Sequence, residues 1–213
     1  MGGTAMVWGA NGGIGRALVK LLTEKRWQTI AVARHEDDLL SLTPYVVEAD
    51  VSQPLQVEAA VRIAAMEADS IDLWIYAAGD IYADSVADID PTDWYRILDA
   101  NLNGAFLTTH YIMPLLAPDA HLVYLGAVSE RLRLPGLSAY AAAKAGLEAF
   151  AESLKKEERK RRITVVRPGA VTTPLWEKVP MRMPTDAAPA EKVANCILEA
   201  HLSDFKGTLD LTG

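Results

Sequence analysis

Residues 4–15 read Thr4-Ala5-Met6-Val7-Trp8-Gly9-Ala10-Asn11-Gly12-Gly13-Ile14-Gly15. A short unbroken apolar run that ends in glycines reads as a buried strand followed by a sharp turn. From Gly13 to Lys25, Ile14, Leu18, Leu21 and Leu22 fall on one face of a 3.6-residue period, which predicts a helix. A glycine-rich turn between strand and helix lets backbone approach a phosphate. The helix N-terminus adds free N–H groups and a partial positive charge. A tight turn that needs positive φ is the other reading of the same glycines.

The pattern repeats along the chain. Further strands are predicted at Trp27 to Ala33, Tyr45 to Ala49, Ile71 to Tyr76, His121 to Leu125, Ile163 to Arg167 and Thr208 to Leu211. Helices are predicted at Pro54 to Ala68, Pro91 to Leu116, Ser138 to Arg159 and Pro189 to Leu202, with Pro91 suited to a first helical turn. Alternating strands and helices pair in parallel through right-handed crossovers, and strands buried on both faces are continuously apolar. The predicted class is therefore α/β, a three-layer doubly wound parallel sheet. Ligands of such sheets bind beyond the carboxyl ends of the strands. The Pro-rich stretch from Thr172 to Ala188 reads as a surface loop or lid.

Composition bounds the rest. At 213 residues, half of them apolar, the chain supports one core, so a single domain over residues 1–213 is expected. A net charge of -7 argues against nucleic-acid or anionic-membrane partners. The single cysteine, Cys196, permits no internal disulfide and suits a reducing compartment. No stretch approaches the ~20 apolar residues of a membrane span, and the first residues lack a signal-peptide pattern. A cytoplasmic protein is expected. His35, His110, His121 and His201 have no metal-ligand spacing, and no P-loop or GxSxG elbow is present. The charge run Lys155 to Arg162 reads as a solvated helix end, with an anion patch as the alternative.

Two positions carry sharper chemistry. Arg34 follows the second strand, where a cofactor with a free ribose needs an acidic partner; a guanidinium there suits a 2′-phosphate, or is an ordinary exposed arginine. Tyr140-Ala141-Ala142-Ala143-Lys144 opens a predicted helix and puts tyrosine and lysine on one face. A lysine ammonium about 4 Å away, at an effective dielectric of ~20, could lower the phenol pKa by around three units, with desolvation opposing some of this, making it an acid–base group near pH 7. An amphipathic helix carrying the pair by accident is the alternative.

Together, Gly9-x-x-x-Gly13-x-Gly15 and Tyr140-x-x-x-Lys144, in this order and context, resemble the short-chain dehydrogenase/reductase family of NADP-preferring type. The resemblance runs from Thr4 nearly to the end of the chain. It implies a Rossmann-type sheet of about seven strands in order 3-2-1-4-5-6-7. It implies an NADPH-dependent oxidoreductase, with NAD(H) the lesser option, acting on a small carbonyl or alcohol substrate. Tyr140, Lys144 and Asn101 would be catalytic, Asn101 holding a water in a proton relay and Lys144 also holding the nicotinamide ribose; Asn101 also reads as a buried polar residue that kinks its helix. Gly9, Asn11, Gly12, Gly13, Ile14 and Gly15 would shape the pyrophosphate cradle. Arg34 would select the phosphate form, and Asp50 and Val51 would meet the adenine, although Asp50 also reads as a helix cap. Ala78 and Gly79 would approach the cofactor by backbone, and Pro168, Gly169, Val171 and Thr173 would meet the nicotinamide amide and phosphate. A homodimer or homotetramer through the long central helices is implied, with the small-residue stretch Ala141 to Ala151 suited to packing.

The sequence departs from the family at Trp8 (usually Thr), at Tyr76-Ala77 (usually Asn-Asn), and at Ala127, where the family has its catalytic serine. Ser129, two residues on, is a candidate substitute. Loss of that donor keeps open a second reading, a catalytically weak or inactive NADP-binding sensor module. A purely structural α/β domain is a third. The substrate pocket is expected from Asp80 to Tyr82, Glu130 to Leu134 and Leu175 to Met183. Leu132, Leu134, Trp176, Met181 and Met183 would give apolar walls, and Arg133 or Arg182 would be available to an anion.

Overall fold

At the centre of the molecule lies β1 (Thr4–Trp8), flanked by β2 (Gln28–Ala33) and β4 (Ile71–Tyr76). The structure is a computed structural model and describes residues 2–128 and 132–211. Outward on one side follows β3 (Val46–Glu48); on the other follow β5 (Leu116–Leu125), β6 (Arg162–Pro168) and β9 (Gly207–Leu211), all parallel. The order 3-2-1-4-5-6-9 is the expected one. The last sheet strand is ninth in the chain because Val171–Thr172 (β7) and Ala188–Pro189 (β8) pair separately, closing the base of the 172–188 strap.

Side-chain alternation assigns the two faces. Met6, Trp8, Trp74, Tyr76 and Tyr124 point to one side, against α2 (Pro54–Glu67), α4 (Gly104–Ile112) and α5 (Ser138–Glu157). Ala5, Val7, Leu73, Ile75 and Val123 point to the other, against α1 (Gly13–Glu24) and α6 (Ala190–Leu202). Both clusters are buried, so the strands are apolar on both faces. Trp8 pairs with Val32 on one side and Tyr76 on the other, so three strands end level. Their following loops gather at one edge of the sheet.

One expected element is divided. The stretch 91–116 is not a single helix. It consists of α3 (Pro91–Leu98), a π turn (Asp99–Asn103), α4 and a 3-10 turn (Met113–Leu115). β5 then begins at Leu116 rather than His121, with an irregular register between Ile71 and Leu73 of its neighbour. The charge run after α5 is not wholly a solvated face. Arg161 folds inward to donate to the carbonyls of Met113, Leu116 and Ala117 and to pair with Glu158 at 3.0 Å. No helix among the described residues is long and apolar enough to cross a membrane.

Candidate active site

The glycine turn is built by backbone hydrogen bonds. The Gly9 and Ala10 N–H groups donate to Val32 O, Ala77 N–H to Trp8 O, and Gly12 N–H to Gly9 O. Trp8 itself is fully buried in the core, and its Nε1 has no partner there, so no side-chain bond from position 8 supports the turn. Gly9 sits at φ +79, and a side chain on it would collide with the Ala78 backbone. A methyl at Gly13 would lie 2.6 Å from Thr173 Cγ2, so the strap lies directly over the turn. Gly12 is the N-cap of α1, with no side-chain cap and no acidic residue in the first turn. The helix N-terminus thus presents its N–H groups and positive dipole end to an anion.

A cavity of about 610 Å³ opens at this edge of the sheet. Gly12, Gly13, Ile14, Ala78, Gly79, Asn101, Tyr140, Lys144, Pro168, Gly169, Val171 and Thr173 all line it, and Ala127 forms part of its wall. Gly9 and Gly15 do not line it; they pack on each other, and a methyl on Gly15 would collide with Gly9 O. The Asn11 amide donates to His35 O, tying the turn to the end of β2, where Arg34 stands exposed. Asp50 does not cap the next helix, whose N-cap is Gln53; its Oδ1 instead accepts the Ser52 N–H at 2.9 Å, and Val51 packs half-buried against the core. Arg34, Asp50 and Val51 lie outside the cavity lining.

The π turn explains how Asn101 comes to face the cavity. Its Nδ2 donates to Ile97 O at 2.8 Å, back along the helix, and to Asp80 O at 2.7 Å across from β4. Its Oδ1 is buried and has no partner. A methyl on Gly79 would lie 2.9 Å from that oxygen and 3.8 Å from Lys144 Nζ, so both groups converge on one point. Lys144 Nζ donates to Leu125 O at 2.7 Å and lies 5.6 Å from the centre of the Tyr140 ring.

The electrostatics reverse one expectation. Burial pushes the Tyr140 phenol up to about 12 rather than down towards 7. Lys144 is buried too; desolvation brings it down to about 8, with Glu148 opposing. The ammonium is itself destabilised and is held by a carbonyl, so its pull on the phenol does not outweigh desolvation.

Several residues shape the site through partners that sequence reasoning missed. Asp80 is buried, with its Oδ1 bound by Lys178 Nζ of the strap at 2.6 Å and its Oδ2 by Arg96 Nη1 of α3. A charged residue directly after Ala78-Gly79 was the available signal. Tyr76, where the family has asparagine, donates its hydroxyl to Ala100 O at 2.8 Å. Arg167 donates to Ala127 O at 3.3 Å. Of the expected pocket walls, Ile81, Leu132, Leu134, Trp176 and Met181 line the cavity; Met183, Arg133 and Arg182 are exposed and do not. Ser129 and Glu130 lie outside the described residues.

Comparison with known proteins agrees with this geometry. Residues 3–183 match the model of the short chain dehydrogenase family. The chain is 28% identical over 183 residues to an uncharacterized oxidoreductase of Staphylococcus epidermidis, covering 81% of this chain and 80% of that one. A Thermus thermophilus structure described as a short-chain oxidoreductase is 29% identical, with a TM-score of 0.82 over 92% of this chain and 94% of that one. The fold is also similar to an alcohol dehydrogenase of Thermococcus sibiricus complexed with 5-hydroxy-NADP, at 20% identity and a TM-score of 0.89, covering 99% of this chain and 96% of that one.

Proposed function

Because the chain belongs to the short chain dehydrogenase family and is an oxidoreductase with a nicotinamide cofactor, we propose that it interconverts a small carbonyl compound and a secondary alcohol with NADP(H), using Tyr140 as the proton-transfer group. The observation that carries this reading is the convergence of Tyr140, Lys144 and Asn101 on the cavity that the glycine turn also lines.

The residues present fit the cofactor. The uncapped α1 N-terminus at Gly12, Gly13 and Ile14 suits a pyrophosphate, with Gly9, Asn11 and Gly15 shaping the turn. Arg34 would pair with a 2′-phosphate. Asp50 and Val51 would meet the adenine, and Ala78 and Gly79 would leave room for the cofactor. Pro168, Gly169, Val171 and Thr173 would border the nicotinamide end, and Lys144 would hold its ribose. The unpartnered Asn101 Oδ1 suits a water bridging towards Lys144. When bound, the nicotinamide supplies the hydride.

A phenol pushed up to about 12 stays protonated at neutral pH. That suits donation to the oxygen of a carbonyl as its carbon is reduced, since an alkoxide is a stronger base than a phenolate. Lys144, at about 8, remains largely cationic at pH 7 and would carry the replacement proton. The decisive variant is Tyr140→Phe: NADPH consumption should vanish while NADPH binding persists. Unchanged turnover would refute the assignment.

One observation favours a second reading. Ala127 presents a methyl, not a hydroxyl, to the cavity, and a missing donor of this type costs roughly 10²–10³ in rate. A catalytically weak NADP-binding sensor would bind NADPH saturably yet consume none with any aldehyde or ketone.

We place the protein in the cytoplasm, as one NAD(P)-binding domain over residues 1–213, where its half-buried thiol Cys196 stays reduced. We also expect a homodimer or homotetramer through α4 and α5. Phe106 is 51% exposed there, stacks on His110 and meets Phe150 edge-on. Equilibrium sedimentation tests this.

A further inference from the structure

The cavity wall beside Tyr140 is hydrocarbon. Ile81, Leu132, Leu137, Trp176, Val179 and Met181 come to it from three separate segments. The one polar atom of the Trp176 side chain is spent on Val171 O at 2.9 Å.

Charges approach this wall closely but cancel behind it. Asp80 adjoins Ile81 in the chain and Lys178 adjoins Val179. The Asp80 carboxylate takes both Lys178 and Arg96, and Arg96 also pairs with Asp93 at 2.8 Å. Two carboxylates and two cations therefore sum to zero. Asp80 is held in place, with its side chain 7% exposed. Arg133 and Arg182, the other cations of these loops among the described residues, are exposed and line nothing here. Lys144 is committed to Leu125 O, and the one acidic side chain among the described lining residues is exposed Asp186.

We propose that the substrate of this site is an uncharged, apolar carbonyl compound, and that Asp80 enforces this by neutralising Lys178 and Arg96 behind the Ile81–Val179 wall. The inference rests on the reading of the cavity as a carbonyl site. A carboxylate entering it would lose water against hydrocarbon, meet no cation among the described wall residues apart from Lys144 at the Tyr140 end, and pass Asp186. A neutral molecule gains from burial against the same walls.

Methyl 4-formylbenzoate and 4-formylbenzoate carry the same aldehyde and differ in charge. Calorimetry on the full chain saturated with NADP+ measures the binding of each without hydride transfer. The ester should bind at least tenfold more tightly than the acid. In Asp80→Asn, with Lys178 released and Arg96 left to Asp93, the gap should narrow through tighter binding of the acid. Acid bound as tightly as ester by the unaltered protein, or neither bound, overturns the proposal, and this comparison needs no variant to fold. A gap unchanged in a folded Asp80→Asn protein overturns the role of Asp80. Turnover with NADPH separates the two readings: ester that binds preferentially but is never reduced sinks the carbonyl-reductase assignment and leaves the apolar site standing.

Discussion

The Tyr76 hydroxyl donates to the Ala100 carbonyl across 2.8 Å and so fastens the end of β4 to the π turn that presents Asn101. Tyr76 is fully buried, and burial first, then the charges of Asp50 and Asp99, hold its phenol protonated. Gly104 makes room for it, since a methyl there would lie 2.5 Å from the hydroxyl. Tyr76→Phe keeps the ring and removes one buried hydrogen bond, worth about 1 kcal/mol. In a chain of this size the melting temperature should fall by roughly 2–4 °C. If the bond also aims Asn101, kcat should fall several-fold while NADPH affinity stays within about twofold. A drop in melting temperature with kcat unchanged would leave Tyr76 a purely structural residue.

Arg34 is tested by cofactor choice. Asn11 holds the glycine turn against His35, so the exposed guanidinium stands at the edge of the cradle. A charged hydrogen bond to a phosphate is worth about 1.5–3 kcal/mol, or roughly 10- to 150-fold in affinity. Arg34→Asp should weaken NADPH by about that factor and leave NADH equal or better. Equal loss for both cofactors would remove Arg34 from the argument.

Gly13 and Thr173 make a steric pair. Gly13→Ala would drive a methyl against Thr173 Cγ2 and lift the strap from the turn. NADPH affinity should fall at least tenfold. Thr173→Ser, which deletes that methyl, should recover part of the loss in the double variant. An additive or deeper defect would show that the clash is not what weakens binding.

The sheet was readable because its strands are continuous apolar runs, and each level strand end hands a loop to the same edge. Tyr140, Lys144 and the glycines were readable because their spacing is local. What escaped was set by distant partners. A kink at the buried polar Asn101 was legible, but its partner Asp80 O was not, because helical periodicity carries no trace of that bond. Asp80 and Lys178 meet across 98 residues of chain. The direction of the Tyr140 shift depends on burial and on Leu125 O claiming the lysine, neither of which spacing reports. Arg161 looked solvated because its carbonyl partners lie more than 40 residues earlier.

At the other end of the strands, His121 predicts the acid limit of the fold. Its Nε2 is 2.8 Å from Thr164 Oγ1, its ring stacks on His201 at 5.5 Å, and its Nδ1 has no partner. Burial first, then Arg162 and His201, brings its pKa from 6.5 down to about 3. The folded pKa lies below the unfolded one, so the unfolded chain binds the proton first as pH falls. Stability is therefore intact above pH 6.5 and is lost progressively towards pH 3. Between pH 6.5 and about 5 the loss should approach ~2 kcal/mol, or roughly 4–8 °C in melting temperature. His201, also lowered by burial and by Arg162, adds in the same direction. His121→Gln removes the larger contribution and should flatten most of this limb, at the cost of a lower plateau near neutral pH. Melting curves at half-unit pH steps decide it: parallel profiles for the two proteins would place acid sensitivity elsewhere in the fold.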